Sequence, residues 1–251
     1  MLALDYCNKI VEGIEKIKKT QLDAITKASA EIAARLEKGG ILYVFGTGHS
    51  HVLAEEIYAR AGGLIQAKAI VPHELTVDLD MQKSTLMERT DGLAEIVFAT
   101  NKIRNCDALV IVSNSGRNAV PVQMAQGAKK RGIFTIALTN LEHSKGSGSR
   151  DKSGKKLYEL CDVVLDTCGP VGDALVQVPG KDYSVAPAST IFGALVIEML
   201  VCTIIETMIG HGEEPLILHS GNIDGNDERN LKAKEQLFAK YPELKGVVTL
   251  N

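Results

Sequence analysis

Residues 41–50, Ile-Leu-Tyr-Val-Phe-Gly-Thr-Gly-His-Ser, and residues 108–118, Ala-Leu-Val-Ile-Val-Ser-Asn-Ser-Gly-Arg-Asn, are built alike. Each starts as a short apolar run of strand type, turns through glycine and hydroxyl or amide side chains, and leads into a helical pattern. Glycine admits positive φ and close backbone approach, and the free N–H groups of a helix N-terminus attract anions. Each loop is therefore read as an anion cradle, for phosphate in particular. Two such loops on strand–helix units predict one shared site at the carboxyl edge of a parallel sheet.

The flanking sequence extends this alternation. Residues 4–38 carry Ile10, Ile14, Ile17, Leu22, Ile25, Ala28, Ile32 and Leu36 at helical spacing, and Gly39-Gly40 ends the run. A helix over 51–60 closes at Gly62-Gly63, and a strand over 64–71 stops at Pro72. Residues 83–104 read as one helix, with Leu86, Leu93, Ile96 and Val97 on its apolar side. A helix over 119–130 and a strand over 133–138 follow, leaving Thr139-Asn140 at a carboxyl end. A strand over 161–165, a Gly/Pro-punctuated connection over 167–187 and a long apolar helix from Ser189-Thr190 complete the pattern. The prediction is a three-layer α/β/α fold with a five-stranded parallel sheet, one domain over 1–251 and a long N-terminal helix.

Between Glu142 and Lys156 the rhythm breaks, because residues 143–156 contain no apolar side chain. Five basic residues, Lys145, Arg150, Lys152, Lys155 and Lys156, outnumber Glu142 and Asp151. The segment reads as a mobile loop, placed to close as a lid over an anionic ligand.

Composition limits the function. The chain has 251 residues, 45% hydrophobic and 24% charged, with net charge −3. That is enough to bury a full core, and it offers neither a basic surface for nucleic acid nor a polybasic run for membranes. Tryptophan is absent and aromatics make up 4%, which argues against stacking platforms. Five cysteines without CxxC spacing read as reduced thiols, and the start lacks signal-peptide features, so a cytoplasmic protein is expected. The one apolar stretch of membrane length, 190–209, is interrupted by Glu198 and Glu206 and reads as a buried or interface helix.

Neither loop is a Walker A motif, since no Gly-Lys-Ser/Thr ends it, so NTP hydrolysis is not expected. Nor is the first a dinucleotide fingerprint: His51 stands where a third glycine belongs, and residues 65–71 contain no ribose-binding acid. His49 and His51 are two apart and do not share a helical face, so no metal site is read from them and cofactor-free chemistry is favoured.

Taken together, Gly46-Thr-Gly-His-Ser50, Ser113-Asn-Ser-Gly116 and the late Ser189-Thr190 pair resemble the SIS domain, the sugar isomerase fold of phosphosugar-binding proteins. The likeness covers roughly residues 20–212 and is nearest to single-domain members of unassigned activity. It implies phosphate binding by Gly46, Thr47, Gly48, His49 and Ser50 of the first loop and Ser113, Asn114, Ser115, Gly116 and Asn118 of the second. Thr139, Ser189 and Thr190 are placed near the sugar. Asn118 stands where many members have Ser or Thr, exchanging a hydroxyl donor for an amide.

The leading functional expectation is isomerisation of a phosphorylated sugar or amino sugar, which needs a base to move a proton beside a carbonyl. Glu88 is the first candidate, because its segment follows the second strand. His73 and Glu74, just after that strand, are further candidates. So is Asp182, the acid nearest the late Ser-Thr pair, where the isomerase branch often has a Glu. Residues 115–122 also resemble the second loop of the N-acetylmuramic acid 6-phosphate etherases, so an etherase-like lyase is the runner-up. A non-catalytic phosphosugar sensor is the third reading. His211 and His219 follow the late helix and could serve a neighbouring subunit, and the apolar helices 4–38 and 190–209 predict a homodimer or homotetramer.

Overall fold

The structure, a computed structural model, describes residues 1–78 and 80–248. A five-stranded parallel sheet forms from β1 (Leu42–Gly46), β2 (Ala67–Ile70), β3 (Ala108–Val112), β4 (Phe134–Thr139) and β5 (Val163–Asp166), in the spatial order β2-β1-β3-β4-β5. All four pairings are parallel. β1 and β3 lie side by side in register from Leu42↔Ala108 to Gly46↔Val112. The chain leaves β1 toward β2 on one side and resumes at β3 on the other. This reversal opens the crevice in which open α/β sheets bind ligands, beyond the carboxyl ends of the strands.

The strands are apolar along their length because both faces are covered. Leu42 and Val44 of β1, Val110 of β3 and Ile136 of β4 face one core, shared with α1 (Leu2–Leu36), α2 (His51–Ile57) and α7 (Ser189–Gly210). Tyr43, Phe45, Leu109 and Ile111 face the other, closed by α4 (Leu93–Asn101), α5 (Ala119–Lys130) and α8 (Asn226–Lys240). Along α1 the buried positions Ile17, Ile25, Ala28, Ile32 and Leu36 keep helical spacing. Each large side chain removed from water there contributes about 1.5–3 kcal/mol. α7 is long and apolar enough to cross a membrane by length and composition. Its Phe192, Val196, Leu200, Ile204 and Met208 are buried in the first core.

The predicted elements need several corrections. The single helix over 83–104 is two, α3 (Met81–Met87) and α4, broken where Gly92 takes φ +89° and donates its N–H to Gln123. The helix over 51–60 stops at Ile57, and the strand over 64–71 shortens to Ala67–Ile70, with Leu64 bridging Ile217 instead. Within the connection over 167–187, β6 (Ala174–Gln177) and β7 (Ser184–Pro187) form an antiparallel hairpin. α8, which the sequence reading did not place, buries Leu237 in the second core.

Candidate functional site

At the end of β1 the chain turns so tightly that a Cβ on Gly46 would lie 2.3 Å from the Ser50 carbonyl oxygen. Gly48 adopts φ +56°, and the turn runs directly into α2. Beside it, the loop after β3 is held from within. Ser113 Oγ accepts from the Gly116 N–H (3.2 Å), and Thr139 Oγ1 donates to the Asn114 carbonyl (3.2 Å). The start of α7 reaches the same edge. Asp173, at the opening of the hairpin, accepts from the Ser189 N–H and Oγ (both 2.7 Å) and so fixes that helix end.

These elements enclose a cleft lined by His49, Ser50, Leu53, Val112, Asn114, Leu138, Thr167, Ser189 and Thr190. Asn114 Oδ1 and Thr167 Oγ1 are buried without a hydrogen-bond partner among the described residues. A buried polar atom left this way costs about 1–3 kcal/mol, which a bound polar ligand can relieve. His49 is the ionisable side chain on this lining. The structure thus brings His49, Ser50, Asn114, Ser189 and Thr190 together at one crevice. Thr139 is fully buried and holds the second loop. Thr167 and Asp173 were missed from sequence, although Thr167 directly follows β5 at the same sheet edge.

Glu88, the first candidate base, follows α3 and joins the two loops. Its Oε2 accepts from Thr47 Oγ1 (2.8 Å) and its Oε1 from Asn118 Nδ2 (2.7 Å). The Thr47 hydroxyl and Asn118 amide, expected on phosphate, here donate to this carboxylate, which lies outside the cleft lining. His73 and Glu74 form an exposed turn after edge strand β2, and Asp182 occupies the exposed tip of the hairpin; none of the three lines the cleft. His51 Nδ1 sits 2.6 Å from the Gly48 carbonyl, bracing its own loop. Among the described residues no group of three His, Cys, Asp or Glu is arranged to hold a metal. His211 Nδ1 contacts Glu37 (2.8 Å) across the ends of α7 and α1, and His219 is held by Asn230 beside α8.

Residues 142–156 are not a free loop. They begin in α6 (Leu141–Lys145) and dock on α5 and the second loop. Arg150 N–H donates to the Arg117 carbonyl (2.7 Å) and Leu157 N–H to the Gly116 carbonyl (2.9 Å). Asp151 accepts from Gln123 (2.9 Å), Gln126 (3.3 Å) and the Ser153 N–H (2.9 Å). Lys156 is buried, its ammonium on the Ser144 carbonyl and near Ser147 Oγ (3.4 Å). A segment without apolar side chains is ordered here by hydrogen bonds to polar positions of α5, which apolar periodicity does not register.

Burial raises the Asp151 carboxyl, but hydrogen bonds from Ser153, Gln123 and Gln126 outweigh it and hold the group below the usual carboxylate range. A depressed carboxyl stabilises the folded state above its unfolded value, about 3.9, and that contribution is lost as pH falls through the lower folded value. Hydrogen-exchange protection of residues 150–154 is expected to hold from pH 7 to about 5 and to fall below about pH 4, ahead of β3. Constant protection relative to β3 down to pH 3 contradicts this anchoring.

Comparison with known proteins follows the same outline. The family model described as SIS domain matches residues 5–140. A UPF0309 protein of Halalkalibacterium halodurans is 40% identical over 237 residues, 94% of this chain and 96% of its own length. A phosphoheptose isomerase structure from Francisella tularensis superposes with TM-score 0.53 at 19% identity, covering 82% of this chain and 100% of that one. The Vibrio vulnificus NanR protein complexed with ManNAc-6P gives TM-score 0.51 at 17% identity, covering 96% of this chain and 69% of that one. At these identities the structural likeness speaks for the fold.

Proposed function

The chain belongs to the SIS-domain family, and on that premise we propose that it binds a phosphorylated sugar and interconverts its aldose and ketose forms. One observation carries the reading: two anion loops stand on adjacent strands at the reversal of strand order, with Ser50, Ser189 and Thr190 converging on buried, unpartnered Asn114 Oδ1 and Thr167 Oγ1. Backbone amides at two helix starts suit a phosphoryl group, and the hydroxyls suit the sugar. The phosphoheptose isomerase and the ManNAc-6P complex with this fold support the ligand class.

Isomerisation needs one group to take a proton from the carbon beside the carbonyl and return it to the neighbouring carbon. His49 is the ionisable side chain on the cleft, and its imidazole carries the nitrogen atoms that can take and return such a proton. Glu88 acts as a positioning residue, tying Thr47 of the His49 loop to Asn118 of the other. Among the described residues no carboxylate lines the cleft, which favours a second reading, a sensor that binds the sugar phosphate without converting it. Exposed Leu4, Val11 and Leu22 on α1 and Ile191 and Ile209 on α7 support a homodimer or homotetramer.

Calorimetry with a panel of aldose and ketose phosphates, paired with C2 proton exchange in deuterated water, tests these readings. Ser50→Ala is expected to weaken binding about 10- to 100-fold, the scale of a hydrogen bond to a charged group. His49→Gln is expected to stop C2 exchange. Binding without exchange in the wild type selects the sensor, release of a sugar fragment selects a lyase, and no binding across the panel overturns the proposal.

A further inference from the structure

Around Asn118, which does not itself line the cleft, the molecule gathers positive charge that the cleft lining does not include. Arg89 follows Glu88 directly, Arg117 lies within the second loop, and Arg150 is carried in by the docked segment. Arg150 Nη1 donates to Asn118 Oδ1 (3.0 Å), and the Asn118 amide donates in turn to Glu88 (2.7 Å). None of the three arginines makes an ion pair among the described residues, and the Arg117 Nε is buried without a partner. Buried Lys156 adds a fourth cation beneath the loop, on the neutral acceptors of Ser144 and Ser147.

Against these four cations stand Glu88, whose two oxygens already accept from the neutral donors Thr47 and Asn118, and Glu159, which partly offsets Lys156 and also pairs with Lys155. Other nearby acids are engaged elsewhere: Asp91 pairs with Lys152, and Asp151 accepts from Gln123 and Gln126. The crowding is felt by the arginines themselves. Burial, then the charges of Arg117 and Arg89, push the Arg150 pKa down, and Glu88 only partly opposes this. Arg89 and Arg150 are exposed and Arg117 is half-buried, so a carboxylate or phosphate bound between them relieves their mutual repulsion, gains charge-assisted hydrogen bonds and gives the buried Arg117 Nε a partner. The cleft lining carries none of these cations, so a phosphoryl group seated there leaves the cluster unmatched.

Building on the phosphosugar reading above, we propose that Arg89, Arg117 and Arg150 form a second anion subsite beside the cleft, so that the ligand is a sugar phosphate bearing a further acidic group, carboxylate or phosphate. The forked guanidinium geometry suits either oxyanion. A doubly anionic ligand would span Asn118, with one charge on the loop amides and the other on the arginines.

Calorimetry at low salt with glucose 6-phosphate, glucose 1,6-bisphosphate and 6-phosphogluconate tests this. The wild type is expected to favour at least one of the latter two by about tenfold over glucose 6-phosphate, with the preference shrinking as salt rises. Which one it favours tells phosphate from carboxylate. Paired Arg117→Gln and Arg150→Gln changes are expected to cut the ratio below about threefold. Arg89→Gln, which breaks no side-chain hydrogen bond among the described residues, is expected to lower it too. Lys152→Gln, whose partner is Asp91, keeps it. A wild-type ratio near one, or a ratio that survives all the arginine changes, overturns this inference alone. Failure of both doubly acidic compounds to bind while a monophosphate of the panel above does bind also overturns this inference alone, and failure of the whole panel overturns the phosphosugar reading with it.

Discussion

Gly46→Ala is expected to abolish measurable sugar-phosphate binding, a loss beyond about 100-fold, because it acts on the backbone of the site and not on one donor. The new methyl would lie 2.3 Å from the Ser50 oxygen, 2.5 Å from the Ser50 carbonyl carbon and 2.9 Å from the His51 nitrogen. No side-chain rotation relieves contacts with main-chain atoms, so the loop and the start of α2 must move away from β1. That displaces Ser50 and His49 together. Overpacking of this kind costs about 1–3 kcal/mol, and at about 2–4 °C per kcal/mol the melting temperature is expected to fall by about 2–12 °C. Gly48→Ala is the control. Nothing lies within 4 Å of its Cβ position, so its cost is the φ +56° conformation alone, about 1 kcal/mol. Affinity for Gly46→Ala within threefold of wild type would remove the first loop from the binding site.

The parts of the fold that the sequence reveals are those whose signal is local. β1 and β3 appear as apolar runs because both sheet faces are covered, and their loops appear as glycine with hydroxyl or amide residues because a tight turn into a helix needs them. What makes them one site, the adjacency of β1 and β3 with β2 on the outside, is a property of strand order. No residue in either loop encodes it. The break at Gly92 was hidden because Leu86, Leu93, Ile96 and Val97 keep an apolar spacing across it. The β6–β7 hairpin was hidden because its strands are four residues each and bury a single side chain, Val176, leaving no apolar run to read. Glu88 shows the same limit within the site: its position after the second strand singles it out, whereas its partners Thr47 and Asn118 come from loops 41 and 30 residues away. Arg150 was legible only as one charge in a polar segment, since its contact with Asn118 spans 32 residues.

The largest loss of stability is expected at the opposite edge of the sheet, from Asp107→Ala. Asp107 is fully buried at the start of β3. Its Oδ1 accepts from the Ile41 N–H (2.9 Å) and Arg104 Nη2 (2.7 Å), and its Oδ2 accepts from the Arg104 N–H (2.7 Å) and Nε (3.3 Å). Arg104 Nη2 also donates to the Gly39 carbonyl (2.8 Å), so one carboxylate fastens the α1–β1 connection to β3. The hydrogen bond to Asp107 raises the Arg104 pKa against the opposing effect of burial. Alanine would leave the Ile41 N–H buried and unpaired and strand a partly buried guanidinium. Removing one partner of a fully buried pair costs about 3–5 kcal/mol, and with the Arg104 side chain 32% exposed the loss here is expected at the lower end, about 3 kcal/mol, still more than a typical net hydrogen bond contributes. Asp107→Asn keeps one acceptor and is expected to lose less. At about 3.3 Å of rise per residue, the five residues of β3 put Asp107 about 16 Å from the second loop, so ligand affinity should stay within about twofold while the chain is folded. Urea unfolding monitored by circular dichroism measures the effect. A loss below about 1 kcal/mol would mean that the strand pairing, and not this carboxylate, holds the amino-terminal edge of the sheet together.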